Sequence, residues 1–278
     1  STACTSFGSS SCGTACPSCS SGREVPEEVT ATGIVLRRRD AGEADRRLTL
    51  LTAEHGRVEV VAKGARKPSS RFAAVTEPLA RGRFTYAPGR RNKFLTQAQA
   101  APSFRALRLD FDRLTYALAL SELYAATIQE DDPSGAEALP LLERSLEELS
   151  SHPEPGIALV WAETKLLDWS GFQPSWLEGV ESEQELERRD HWFSPEAGGL
   201  LADSDAMRHS DRCQINWQDA VALARLPDLD APPRAFARWA TCLRALHPFW
   251  RHIVGGPVPA HEAVYADLGV RGRSARTG

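Results

Sequence analysis

The chain has 278 residues, 42% of them hydrophobic and 25% charged, with a mean hydropathy of −0.35, the profile of a globular protein rather than a wholly disordered one. No apolar run approaches the ~18 residues that a bilayer span needs, and the Ser- and Cys-rich start lacks the basic and apolar stretches of a secretory leader, so a cytoplasmic protein with no membrane partner is expected. The net charge of −4 conceals an asymmetry: residues 30–108 carry 17 Lys and Arg against 6 Asp and Glu, and the remainder 16 against 31. A basic front of this length is the electrostatic footprint of a polyanion partner, with a solvated basic face as the plainer reading.

Residues 1–24 are dominated by Ser, Thr, Ala, Gly and Cys, a composition that cannot bury enough apolar surface to offset ordering entropy, and are expected to be disordered. From residue 30 the pattern becomes short apolar alternations separated by turn signals. Candidate strands run over 33–37, 47–52, 57–63, 79–86 and 93–100, the last two joined by Pro88-Gly89. Five strands with a long connection after the third, from Gly64 to Phe72, suggest a small OB-type barrel over residues 30–101, although an SH3-like barrel or an open sheet has the same periodicity.

After Pro102 the period becomes helical. Phe104, Leu107, Phe111, Leu114 and Leu118 form one stripe, and Ser134 to Glu137 has capping-box spacing before a second helix. A third helix is expected over 157–169. Residues 172–212 lose periodicity, and helices resume at 217–226, 233–253 and 261–268. The reading is α+β: a basic five-stranded barrel, an acidic helical domain over 102–270, and a basic tail over 271–278.

Three clusters of cations could follow a phosphate backbone. Arg37 and Arg39 share one face of the first strand, with Arg46 and Arg47 opening the second. Lys63, Arg66, Lys67 and Arg71 lie on the long connection, and Arg90, Arg91 and Lys93 at the last hairpin. Barrels that hold single strands add aromatic platforms. Phe84 and Phe94 are expected to be core, and Phe72, beside Arg71 on a loop, to present a functional face.

Cys12, Cys16 and Cys19 have the C-x3-C-x2-C spacing of some iron–sulfur sites, with Cys4 upstream. No apolar framework surrounds them, and no α/β barrel of ~200 residues follows. Phosphate-cradling, zinc-hydrolase, nucleophile-elbow and dinucleotide motifs are missing from the sequence. No catalytic residues, metal or cofactor are expected in the folded body.

The ordered set Gly33-Ile34-Val35-Leu36-Arg37, Gly42-Glu43-Ala44-Asp45-Arg46, Glu54-His55-Gly56, Lys63-Gly64-Ala65-Arg66, Ser70-Arg71-Phe72 and Glu77-Pro78-Leu79 resembles the N-terminal domain of the RecO family of bacterial recombination mediators. The resemblance is close over about 31–100 and looser to about 270. It implies an OB-fold front and a helical back, binding of single- and double-stranded DNA, strand annealing, and work in the nucleoid with RecR, single-stranded DNA-binding protein and, indirectly, RecA. Many members carry two C-x-x-C pairs after the third helix. Here Gly179, Ser182, Ala202 and Asp205 stand at those positions, so the resemblance implies a degenerate zinc-ribbon-like segment over 172–206. A generic single-stranded DNA or RNA binder without mediator function, and an N-terminal iron–sulfur enzyme, are the competing functional readings.

Overall fold

The structure, a computed structural model, describes residues 27–182 and 186–274; the four N-terminal cysteines and the last residues of the basic tail lie outside them. Five strands, β1 (Val29–Ala41), β2 (Asp45–Thr52), β3 (Gly56–Ala62), β4 (Arg81–Pro88) and β5 (Lys93–Ala100), close into a barrel of order β1-β2-β3-β5-β4. All neighbours are antiparallel except β3 and β5, whose parallel contact at Val60↔Lys93 and Val61↔Phe94 completes the ring. This is the OB arrangement that the strand count and the long third connection suggest. Period-two alternation sends Val35, Leu48, Leu50, Val58, Val60 and Phe84 into the barrel core.

Phe72 departs from its expected role. It is 7% exposed and packs inside the barrel core, together with Val75 and Ala80 from the same connection. The connection is therefore a plug that closes one end of the barrel, and its apolar residues are consumed in doing so.

The helices are α1 (Arg105–Leu109), α2 (Phe111–Thr127), α3 (Ala138–Ser151), α4 (Pro155–Trp169), α5 (Asp203–Ala206), α6 (Trp217–Arg225), α7 (Trp239–Val254) and α8 (Pro259–Ser274). The stripe read as one helix from Phe104 is broken at Asp110, which is extended and caps α2 by accepting from the Arg113 amide. The expected capping box does not form. Asp132 instead accepts from the Ser134 amide to open a 3-10 turn (Pro133–Glu137), and α3 starts after it. The α7 helix begins at Trp239, six residues later than the pattern suggests.

Residues 175–215, which lack helical periodicity, build a second sheet from β6 (Ser175–Gly179), β7 (His191–Ser194), β8 (Gly199–Leu201) and β9 (Cys213–Ile215), in the order β6-β8-β7-β9. Gly179 approaches Ser182 and Ala202 closely. The turns around them are tied by ion pairs: Arg208 binds Asp205 and reaches Glu181 at 3.5 Å, and His209 contacts Glu181 at 2.8 Å. Among the described residues, no group of three or more His, Cys, Asp or Glu is placed to hold a metal ion.

Barrel and bundle share one core. Ile34, Leu36, Leu51 and Leu79 belong to the same buried cluster as Leu120, Leu123, Leu142 and Trp161 of the helices. Gly56, at φ +60°, opens β3, and any Cβ there would strike the carbonyl of Asp132. The Arg57 guanidinium donates to the carbonyl of Ile128 at 2.7 Å across the same seam.

Candidate nucleic-acid interface

Strand register sorts the cations of the barrel. On β1 and β2, Arg37 pairs with Thr49 and Arg39 with Arg47. On β2 and β3, Arg47 pairs with Val61 and Thr49 with Glu59, and Val61 pairs with Phe94 of β5. Side chains alternate, and Leu48 and Leu50 fill the interior, so these partners lie on the outer face. One row across four strands therefore reads Arg39, Arg47, Val61, Phe94. The next reads Arg37, Thr49, Glu59, with the Thr49 hydroxyl donating to Glu59 at 2.7 Å.

The outer face continues into the β4–β5 turn. Arg47 donates to the Asn92 side-chain oxygen at 3.0 Å, and the Lys63 ammonium stands 4.4 Å from the centre of the Phe94 ring. Arg47, Glu59, Arg90, Arg91, Asn92 and Asp131 line a cleft of about 380 Å3. Arg39, Arg47, Lys63, Lys67, Arg90 and Arg91 are exposed. Arg37 is half-buried, and burial together with the neighbouring Arg39 holds its pKa below the usual guanidinium value. Like charges gathered at a surface in this way repel one another and favour an anionic ligand.

Arg46, Arg66, Arg71 and Lys93 are engaged within the protein, Arg66 and Arg71 while still exposed. Arg46 points away from this row. It donates to Thr76 at 2.7 Å, Ala73 at 3.2 Å and Glu77 at 3.2 Å, and so straps the plug to β2, while Arg38 holds the same Glu77. Arg66 donates to the Gly42 carbonyl and pairs with Asp40. Arg71 donates to the Thr96 carbonyl and lies over the Phe72 ring. Lys93 lies between Asp131 and Glu130, whose hydrogen bonds and charge raise its pKa although burial opposes them. Of the connection's cations, Lys63 and Lys67 have no side-chain hydrogen bond or ion pair among the described residues, and Lys63 lies over the Phe94 ring.

Asn92, Glu59 and Phe94 complete the face, although the sequence reading did not place them there. Their assembly depends on the β3–β5 closure, a contact between residues 33 apart in sequence that local periodicity does not reveal.

The N-terminal model of recombination protein O matches residues 27–104, and its C-terminal model residues 108–258. The chain belongs to the RecO family. It is 36% identical over 227 residues to the DNA repair protein RecO of Heliobacterium modesticaldum, covering 80% of each chain. It is 34% identical over 207 residues to that of Gloeobacter violaceus, covering 73% of this chain and 78% of the relative. With the RecO protein of Symbiobacterium thermophilum the identity is 40% over 174 residues, covering 61% and 68%. The two matched RecO segments meet between 104 and 108, where the barrel gives way to α1 and α2. The α8 helix lies beyond the second segment.

Proposed function

We propose that this RecO-family chain is a DNA-binding recombination mediator in DNA repair, which holds DNA on the outer β1-β2-β3-β5 face of the barrel, anneals complementary strands and assists recombinase loading on single-stranded DNA. The observation that carries this reading is the row of Arg39 and Arg47 continued by Lys63, Arg90 and Arg91, which leaves several exposed cations on one surface of a family member. Phosphate contacts made by such cations fix position without reading sequence, so the face suits a protein that must accept any strand. The finer assignments belong to the same proposal: RecR and single-stranded DNA-binding protein as partners, RecA as an indirect one, and the acidic helical half as the side that presents apolar or local basic pockets to protein partners.

An enzymatic reading has one structural candidate, the cluster of Ser194, His209 and Asp211. There the serine hydroxyl donates to Asp211 at 2.9 Å and lies 3.5 Å from the imidazole. A nucleophilic serine needs its proton directed at a base, and this one is committed to a carboxylate that also accepts the Glu196 amide. The cluster reads as a turn support.

The test is annealing of complementary oligonucleotides by the full chain, with and without bound single-stranded DNA-binding protein and without nucleotide. Acceleration in both conditions is expected. Binding without annealing would favour a generic single-strand binder, and a requirement for ATP would contradict the mediator mechanism.

A further inference from the structure

Four aromatic residues lie in the barrel strands and plug, and three of them are spent on packing. Phe72, Phe84 and Tyr86 are 7%, 1% and 3% exposed and belong to the barrel core. Phe94 belongs to neither hydrophobic core and is half-buried on the outer face, at the end of the row that starts with Arg39 and Arg47. Its edge is held by the β4–β5 turn, since a Cβ on Gly89 would lie 2.7 Å from ring carbon Cε2. Only a glycine lets the turn approach so closely. The exposed Lys63 ammonium lies over one ring face.

We infer that Phe94 is a stacking platform for one unpaired base of single-stranded DNA, and that Lys63 is its displaceable cover. The inference rests on the reading of this face as the DNA interface and adds to it the selection of single strands. An exposed cation–π contact is weaker than stacking of a base on an aromatic ring, so an arriving base displaces the ammonium, which then takes a neighbouring phosphate. The adjoining cleft has groups for both a phosphate and a base, Arg47, Arg90 and Arg91 for the first and Glu59, Asn92 and Asp131 for the second. Glu59 and Asp131 on its wall can accept hydrogen bonds from base N–H groups. Asn92 spends its oxygen on Arg47 and keeps its amide hydrogens for a base edge. Arg39, Arg90 and Arg91 remain around the face for the backbone. A base inside a duplex stack cannot reach the ring, so the platform adds affinity for single strands only.

The test compares a labelled oligodeoxythymidylate with an abasic oligomer of equal phosphate count, by fluorescence anisotropy on the full chain. The wild-type chain should bind the thymidylate more tightly. Phe94→Leu should remove about 5- to 150-fold of that preference while leaving abasic affinity and the salt slope unchanged, and Phe94→Trp should restore it. Equal wild-type affinity for the two oligomers, or an equal loss on both in a Phe94→Leu chain with an unchanged melting curve, would overturn the platform and leave the DNA-binding face standing. Should Phe94→Leu melt early, the wild-type comparison and Phe94→Trp still decide. Failure of the wild-type chain to bind either oligomer would overturn the face itself.

Discussion

Adjacent residues in this barrel have opposite duties, and strand alternation is the reason. Arg46 and Arg47 are neighbours in sequence. The first is 14% exposed at its side chain and braces Thr76 and Glu77, and the second is exposed beside Arg39. Replacing Arg46 by Ala removes its hydrogen bonds to Thr76, Ala73 and Glu77, although the Thr76 hydroxyl keeps the Phe72 carbonyl and Glu77 keeps Arg38, a cost of about 1–3 kcal/mol. Arg46→Ala should therefore lower the melting temperature by several degrees and leave the salt dependence of DNA binding almost unchanged. A normal melting curve with a reduced salt slope would reverse that assignment. The alternation of Arg37, Arg38 and Arg39 was legible in the sequence, as was the buried Phe84. The roles of Phe72, Arg66 and Arg71 were not. A polar, Pro-punctuated stretch reads as an exposed loop, and nothing local shows that Phe72, Val75 and Ala80 will stop one end of a barrel.

Elements were read best where one period ran without interruption. The five strands and α4 match their apolar patterns within a few residues, because alternation or an apolar stripe decides which face is buried. The β6–β9 sheet escaped because strands of three to five residues are too short to show a period, whereas α8, expected over 261–268, spans Pro259–Ser274 and docks through polar contacts. Its N-terminal amides at Ala260 and His261 are capped by Glu122. His261 contacts Glu163 at 3.0 Å, where Trp250 also donates, and its other ring nitrogen meets His247 at 2.9 Å. The surrounding charged groups are Glu122, Glu163, Glu262 and Arg251.

Burial, the adjacent His261 and Arg251 lower the pKa of His247 to about 4. Burial opposes protonation of His261 as well, yet Glu163 and the other carboxylates raise it. A histidine kept neutral by the fold loses stability as pH falls from its unfolded value of about 6.5 towards 4, because the unfolded chain takes up the proton first. A histidine with a raised value contributes below about 6.5 and loses its contribution as pH rises through the folded value. Helix α8 should thus be held best near neutrality. Hydrogen exchange over residues 259–268, corrected for intrinsic rates, should show weaker protection at about pH 5 than at pH 7. The loss should be smaller in His247→Phe. Equal protection at both pH values would refute this.

At the scale of the whole molecule, the charge asymmetry does not divide folding. The sequence suggested a basic barrel and an acidic helical domain, and the charge asymmetry assigned a polyanion partner to the first. The shared core containing Ile34, Leu36, Leu51 and Leu79 shows that the basic half borrows apolar cover from the helices, and Arg57 needs the Ile128 carbonyl for its guanidinium. Each buried aliphatic side chain left uncovered forgoes about 1.5–3 kcal/mol of burial, a large share of the stability of a domain this small. A fragment of residues 30–101 should therefore melt well below the full chain, or aggregate. A fragment with the full chain's melting temperature would show that the seam is dispensable.

The central claim is that DNA follows the Arg39–Arg47 row rather than the plug. Its most direct measurement is the dependence of single-strand affinity on salt concentration, for the full chain and for the Arg39→Ala, Arg47→Ala double variant. Each phosphate contact contributes about 0.7 to the log–log slope on a single strand. The double variant should therefore lose about 1.4 from the slope with its melting temperature intact, whereas Arg66→Ala and Arg71→Ala should change the slope little. A slope unchanged in the double variant, with a loss of similar size on removing Arg66 and Arg71, would contradict the account and return the DNA path to the plug.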